Sequence, residues 1–334
     1  MAGAETVENL EDVIVRSAEQ LAQDLQAAKA AISAVIFGQE RVIDNTLVTI
    51  LSGGHALLIG VPGLAKTKLV ETLGTTLGLD AKRIQFTPDL MPSDILGAEV
   101  LDESSTGKRS FRFIAGPVFA QLLMADEINR ASPRTQSALL QAMQEQHITV
   151  AGARHDLPRP FHVLATQNPL EQEGTYPLPE AQLDRFLMEI NVDYPDRDAE
   201  RRILFETTGA EETVAKAALT VETLVNAQRL VRRLPVGDSV VEAILSLVRS
   251  ARPGPDSGDT GKLIAWGPGP RASQSLMLAV RARALLDGRL APSIDDMLDL
   301  AEPILKHRMA LTYSARAEGH TVSAVIEQLK SRIG

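Results

Sequence analysis

Eight residues, Gly60-Val61-Pro62-Gly63-Leu64-Ala65-Lys66-Thr67, join the apolar stretch Ala56–Ile59 to a run of helical periodicity. A strand that turns through small residues into a helix start makes a phosphate cradle. Its backbone N–H groups close around phosphate oxygens, and the helix N-terminus adds partial positive charge. In such a cradle Lys66 reaches the β- and γ-phosphates of a nucleoside triphosphate and Thr67 ligates Mg2+. Ala65 stands where the usual pattern has glycine. A Gly/Pro turn leading into an ordinary helix is the competing interpretation of these eight residues alone.

Four further positions supply what a hydrolytic site needs. Leu122-Leu123-Met124-Ala125-Asp126-Glu127 reads as a buried strand ending in two carboxylates. Asp126 is placed to hold a Mg2+ hydration shell and Glu127 to polarise the attacking water as general base. Adjacent acids can also cap a helix, a use that the upstream phosphate loop makes less apt. The stretch Phe161–Thr166 leads into Gln167-Asn168-Pro169, where the Asn168 amide can orient water and sense the γ-phosphate, although Asn-Pro is also a plain turn signal. Arg185 precedes the last strand candidate, where an arginine points into a neighbour's site as a finger supplied in trans. Its bland alternative is a surface ion pair with Asp184 or Glu189. Arg271 opens a downstream helix, poorly placed for the helix dipole, and could fold over the phosphates.

These residues require elements that bring them together. Strand candidates are His55–Gly60, Arg83–Thr87, Gln121–Asp126, Phe161–Thr166 and Leu187–Val192, with helices starting near Lys66, Ser132 and Pro179. The alternation predicts a parallel sheet with helices on both faces. Polar stretches at Asp102–Lys108 and Ala151–His155 predict two β-hairpins added to that core. Beyond Tyr194-Pro195-Asp196 every apolar pattern is helical: Ala199–Thr207, Val221–Leu234, Val240–Arg252, Ala272–Leu286, Ile294–Arg308 and Val322–Arg332. A Gly- and Pro-rich loop, Pro253–Pro270, divides this helical part. Upstream, Leu10, Ile14, Leu21, Leu25, Ile32 and Val35 recur at helical spacing, which predicts one or two amphipathic helices, packed on their own domain rather than docked on a membrane or partner because the other face is acidic and mixed.

Composition narrows the possibilities. A length of 334 residues suggests two domains, and 44% hydrophobic with 23% charged residues suits a globular core. The net charge of −9 argues against a protein that coats nucleic acid. With no cysteine, thiolate chemistry and cysteine-ligated zinc are excluded. The absence of a leader-like start and of any long apolar run makes a cytoplasmic address the expectation.

In order and spacing these elements resemble the AAA+ ATPases, and more closely the MoxR family. The resemblance is carried by the phosphate loop, by Ala125-Asp126-Glu127-Ile128-Asn129-Arg130-Ala131, by Gln136–Met143, by Ala165-Thr166-Gln167-Asn168-Pro169 and by Glu173–Phe186. It spans roughly Val35 to Ala310, and the family's phosphate loop commonly carries alanine at the Ala65 position. The resemblance implies a P-loop three-layer αβα core with strand order 5-1-4-3-2, β-hairpin inserts and a C-terminal all-helical lid. It places an N-terminal helical segment at 1–35, the nucleotide core at 36–196 and the lid at 197–334.

By the same resemblance Phe37, Gly38 and Gln39 bracket adenine, so ATP is the nucleotide and Mg2+ its metal. Lys66 and Thr67 are then Walker A, Asp126 and Glu127 Walker B, and Asn168 sensor 1. Arg185 is the arginine finger and Arg271 sensor 2, with Arg130 and Arg134 as a second source of a trans arginine. Ser93–Gly116 and Gln146–Arg159 look like inserts that project toward a ring pore. The family reading implies a hexameric ring that remodels protein complexes or inserts metal centres, with a von Willebrand factor A domain protein as a separate chain. A nucleic-acid motor and a nucleotide switch of little turnover are the alternatives.

Overall fold

The computed structural model describes residues 10–103, 109–171, 173–209 and 213–333. Most of the polar turn expected at Asp102–Lys108 lies outside them, as do the start of the N-terminal pattern and the side chains of Leu10 and Ile14.

Five strands form one parallel sheet: β1 (Ala56–Ile59), β2 (Ala81–Gln85), β3 (Leu122–Asp126), β4 (His162–Gln167) and β5 (Met188–Asn191). Their order is β5-β1-β4-β3-β2, as the family resemblance implies. Period-two alternation assigns each side chain to one of two cores. Ala56 and Leu58, Leu122 and Met124, and Leu164 face one cluster; Leu57, Leu123, Ala125, Val163 and Ala165 face the other. Burial on both faces is why β1, β3 and β4 read as unbroken apolar runs. Edge strand β2, Ala-Lys-Arg-Ile-Gln, is mostly exposed and charged, a composition that discourages edge-to-edge pairing.

Ten helices of nine or more residues surround the sheet among the described residues: α1 (Leu10–Ser33), α2 (Glu40–Leu51), α3 (Lys66–Leu77), α4 (Pro133–Glu145), α5 (Arg197–Thr207), α6 (Val221–Val231), α7 (Asp238–Ser250), α8 (Pro270–Leu286), α9 (Ile294–Leu305) and α10 (Val322–Lys330). Leu21, Leu25 and Ile32 of α1 are buried in the same cluster as α2, α3 and the helices of the lid. On the opposite face Leu139, Leu140 and Met143 of α4 cover the second cluster. Among the described residues no helix is long and apolar enough to cross a membrane.

Both hairpins are present. Gly97–Glu103 pairs with Arg109–Ala115, and His147–Val150 with Ala153–Asp156. The second turn is only Ala151-Gly152, both at positive φ (48° and 84°), so Ala153–Asp156 is return strand rather than loop. Phe113 of the first hairpin stacks on His155 of the second at 4.0 Å. The lid contains an antiparallel pair, Ile264–Trp266 with Ala310–Leu311, the first inside the stretch expected as the loop Pro253–Pro270 and the second just past the helix expected to end at Arg308. Strands of three and two residues are too short to carry a period-two signal.

Candidate functional site

The phosphate loop leaves β1 where the chain must pass another backbone. A Cβ on Gly60 would lie 2.6 Å from the Val192 carbonyl oxygen, so no larger residue fits without movement. Gly63 (φ 85°) and Ala65 (φ 55°) then take left-handed conformations, and Ala65 precedes α3 without offering a side-chain cap. The N-terminal turn of α3 therefore faces the cleft with no side-chain cap over it, the polarity that suits an anion. Lys66 Nζ donates to the carbonyls of Gly60 (2.5 Å) and Val61 (2.9 Å). Burial pulls its ammonium below the usual lysine range, while the Asp126 and Glu127 carboxylates pull it back.

Lys66, Thr67, Asp126, Glu127 and Asn168 line one cleft of about 480 Å3 at the C-terminal ends of β1, β3 and β4. Parallel registry puts them there: Ala125 lies opposite Ala165, and Ile59 opposite Gln167. Such a crevice, where strand order reverses about β1, is where open α/β sheets bind ligands.

Both carboxylates are held. Asp126 is buried and accepts from Thr166 Oγ1 (2.6 Å) and Arg83 Nη2 (2.6 Å). Glu127 takes a left-handed backbone (φ 55°), its N–H donating to Thr166 Oγ1 at 2.8 Å. Its Oε2 accepts from Gln85 Nε2 (2.7 Å) and Arg130 Nη1 (3.2 Å). Arg130 thus pairs with the acid of its own chain, and Arg134 is exposed in the first turn of α4. Buried Asn168 accepts from the Leu170 N–H. Sequence reasoning missed Arg83, Gln85 and Thr166. The alternation of Arg83 and Gln85 on one face of β2 was readable, but not that this face meets the acids of β3.

A second cavity of about 280 Å3 adjoins the cleft, sharing Gly63, Leu64, Ala65 and Lys68 with it. Its walls are largely apolar, from Val35, Ile36, Phe37, Pro195 and Ile203. Gln39 lines it and donates Nε2 to the Asp193 carbonyl at 2.8 Å. Gly38 (φ 67°) packs where a Cβ would meet Ala199 at 2.4 Å, fixing this segment against α5.

Arg185 and Arg271 are not in the cleft. They line another cavity, of about 260 Å3, with Gly53, Gly54 and His55 at the N-terminal end of β1. Arg185 donates to the Leu140 carbonyl (2.6 Å), and the acids expected as its surface partners are otherwise engaged. Asp184 pairs with Arg308 (2.7 Å) and Arg271 (3.5 Å), and Glu189 with Lys306 (3.4 Å). Arg308 was also missed. The run Lys306-His307-Arg308 reads as a solvated helix end, yet Arg308 is 1% exposed and donates to the carbonyls of Phe186 (2.6 Å) and Leu187 (3.1 Å). It ties the turn that carries Arg185 to the lid.

The donor chemistry fits a hard cation beside phosphate: one hydroxyl, Thr67, and one carboxylate, Asp126, leave most positions to water and phosphate oxygens, as Mg2+ prefers. Among the described residues no cluster of three or more His, Cys, Asp or Glu is placed to hold a metal without such help.

Comparison with known proteins agrees with this geometry. Residues 55–188 match the model of the ATPase family associated with various cellular activities (AAA), and residues 259–329 that of the AAA lid domain. The chain is similar to Chaperone MoxR1 of Mycobacterium tuberculosis, with 41% identity over 93% of this chain and 83% of that one. It is similar to Protein MoxR of Paracoccus denitrificans, with 32% identity over 90% and 93% of the two chains. A crystal structure of a proposed ATPase from Cytophaga hutchinsonii matches with a TM-score of 0.87 and 35% identity, covering 96% of this chain and 97% of that one.

Proposed function

This chain belongs to the MoxR family of AAA+ ATPases, and on that premise we propose that it hydrolyses Mg·ATP in a ring whose clefts are each completed by a neighbouring copy. The observation that carries this reading is the separation of the arginines from the cleft. Lys66 lies beyond the C-terminal end of β1, while Arg185 and Arg271 lie beside its N-terminal end. A strand of four residues alone spans roughly 13 Å, so in this conformation the two arginines lie at the opposite end of the sheet from their own cleft. Among the described residues lining the cleft, Arg83 is the only arginine, and it is committed to Asp126. We therefore assign both Arg185 and Arg271 to a neighbour's nucleotide. Arg271 then does not close over its own phosphates as the sensor 2 analogy suggests.

In this mechanism the apolar cavity beside Phe37 and Gln39 takes the adenine and the N-terminal turn of α3, with the phosphate loop, holds the phosphates. Lys66 exchanges its two loop carbonyls for phosphate oxygens. Thr67 and Asp126 would hold the Mg2+, which would screen phosphate charge. Asn168 orients the water and Glu127 accepts its proton after leaving Gln85 and Arg130. The nucleotide core corresponds to residues 36–196 and the lid to 197–334, with α1 packed against both.

We assign the work to chaperone-like remodelling or metal-centre insertion in a protein client, with a von Willebrand factor A domain partner as a separate chain. A nucleic-acid motor is disfavoured because basic residues of the hairpins are internally paired: Arg109 with Glu103, Arg112 with Asp102 and Arg154 with Asp156. The test of hydrolysis is Glu127→Gln, expected to retain ATP binding and to slow turnover by about 10²–10⁴-fold. Wild-type turnover in that variant would remove Glu127 from the role of base.

A further inference from the structure

Each of the two carboxylate oxygens of Asp126 already accepts a hydrogen bond from a neighbouring side chain. Oδ1 accepts from the Thr166 hydroxyl at 2.6 Å, and that hydroxyl in turn accepts the Glu127 N–H, which fixes its proton on Asp126. Oδ2 accepts from Arg83 Nη2 at 2.6 Å. Arg83 and Thr67 line the same cleft as Asp126, so the guanidinium and a metal held by Thr67 would draw on the same carboxylate. A guanidinium and a metal-bound water cannot donate to one oxygen along one direction. Lys66 does not substitute for Arg83, because its ammonium is turned to the carbonyls of Gly60 and Val61.

We propose that Arg83 competes with the divalent metal for Asp126, so that the cost of displacing it sets how strongly nucleotide binding depends on Mg2+. The inference rests on the cleft being a Mg–nucleotide site and concerns a residue the family motifs above do not include. Arg83 acts through Asp126 and is a positioning residue. The nearby Gln85, which accepts from Arg83 at 3.0 Å, offers it a second resting place once it leaves the acid. Its removal leaves strand pairing in place, since β2 is held to β3 by backbone registry from Ala81 opposite Leu122 to Gln85 opposite Asp126. The side chain itself is half-exposed.

The test is titration of a fluorescent ADP analogue into wild type, Arg83→Gln and Arg83→Lys, each in saturating Mg2+ and in EDTA. The expected result is that the ratio of the EDTA to the Mg2+ dissociation constant rises about fivefold in Arg83→Gln, the equivalent of one half-exposed ion pair. Arg83→Lys should fall between. Loss of a general phosphate-attracting charge, or of a structural contact, changes both constants together and leaves the ratio where it was; that result overturns the proposal. Matched melting curves establish that the variants are folded. A wild-type protein that bound no nucleotide in either buffer would overturn the functional reading as well, whereas normal binding with an unmoved ratio removes Arg83 alone.

Discussion

At the scale of residues, two strained backbones sit within the cleft. Ala65 and Glu127 both adopt φ of 55°. A left-handed alanine lacks the compensation that glycine offers and stores roughly 1 kcal/mol. Ala65→Gly should therefore raise the urea midpoint by an amount worth about 1 kcal/mol and leave nucleotide affinity within about twofold. An unchanged or lower midpoint would show that Leu64 and the adjoining apolar wall, rather than local backbone preference, fix this turn. The motif groups that line the cleft were legible because each has a distinctive type at a distinctive place: Lys66 after a glycine turn, Asp126 and Glu127 after an apolar strand, Asn168 before proline. Arg83, Gln85 and Thr166 were not. Their importance comes from lying beside Asp126 and Glu127 across neighbouring strands, and lateral neighbours depend on sheet order rather than on sequence spacing.

At the scale of elements, alternating apolar runs and helical periods revealed the five sheet strands and the long helices. They did not reveal how the lid is fastened to the sheet. One fastening is a buried pair of imidazoles. His55 Nδ1 accepts the Val163 N–H, and His162 bonds the Gly54 carbonyl through Nδ1 (2.8 Å) and Gln228 of α6 through Nε2 (3.0 Å). Burial holds both neutral, pushing His55 down to about 3, helped by His162, and His162 down to about 4. In the unfolded chain both titrate near 6.5, so that state takes up protons first as pH falls. Their contribution is complete above pH 6.5 and is lost progressively toward pH 4, on the order of 3 kcal/mol for His162. Urea midpoints at pH 7.5, 6 and 5 should fall in the wild type. They should fall less steeply in His162→Gln, which keeps a donor for Gly54 but cannot titrate. Parallel declines in the two proteins would mean that His162 carries its proton in the fold.

At the scale of the whole molecule, the sheet separates two half-sites. Lys66, Glu127 and Asn168 lie at one end, Arg185 and Arg271 at the other, with Arg308 locking the second half-site to the lid. The trans role proposed for Arg185 rests on its place before the last strand and on its distance from its own cleft. That Arg271 shares its cavity was not legible in the sequence, because the lid's docking angle leaves no mark in helical periodicity. On the proposed reading a site divided in this way is completed head to tail between copies, an arrangement that can close into rings. The most direct test mixes two inactive variants, Glu127→Gln, which keeps Arg185, and Arg185→Ala, which keeps its own cleft. Random assembly at equal amounts pairs an intact cleft with an intact arginine at about one interface in four, so the mixture should recover on the order of a quarter of wild-type ATP turnover. A mixture as inactive as its two components would contradict the shared site.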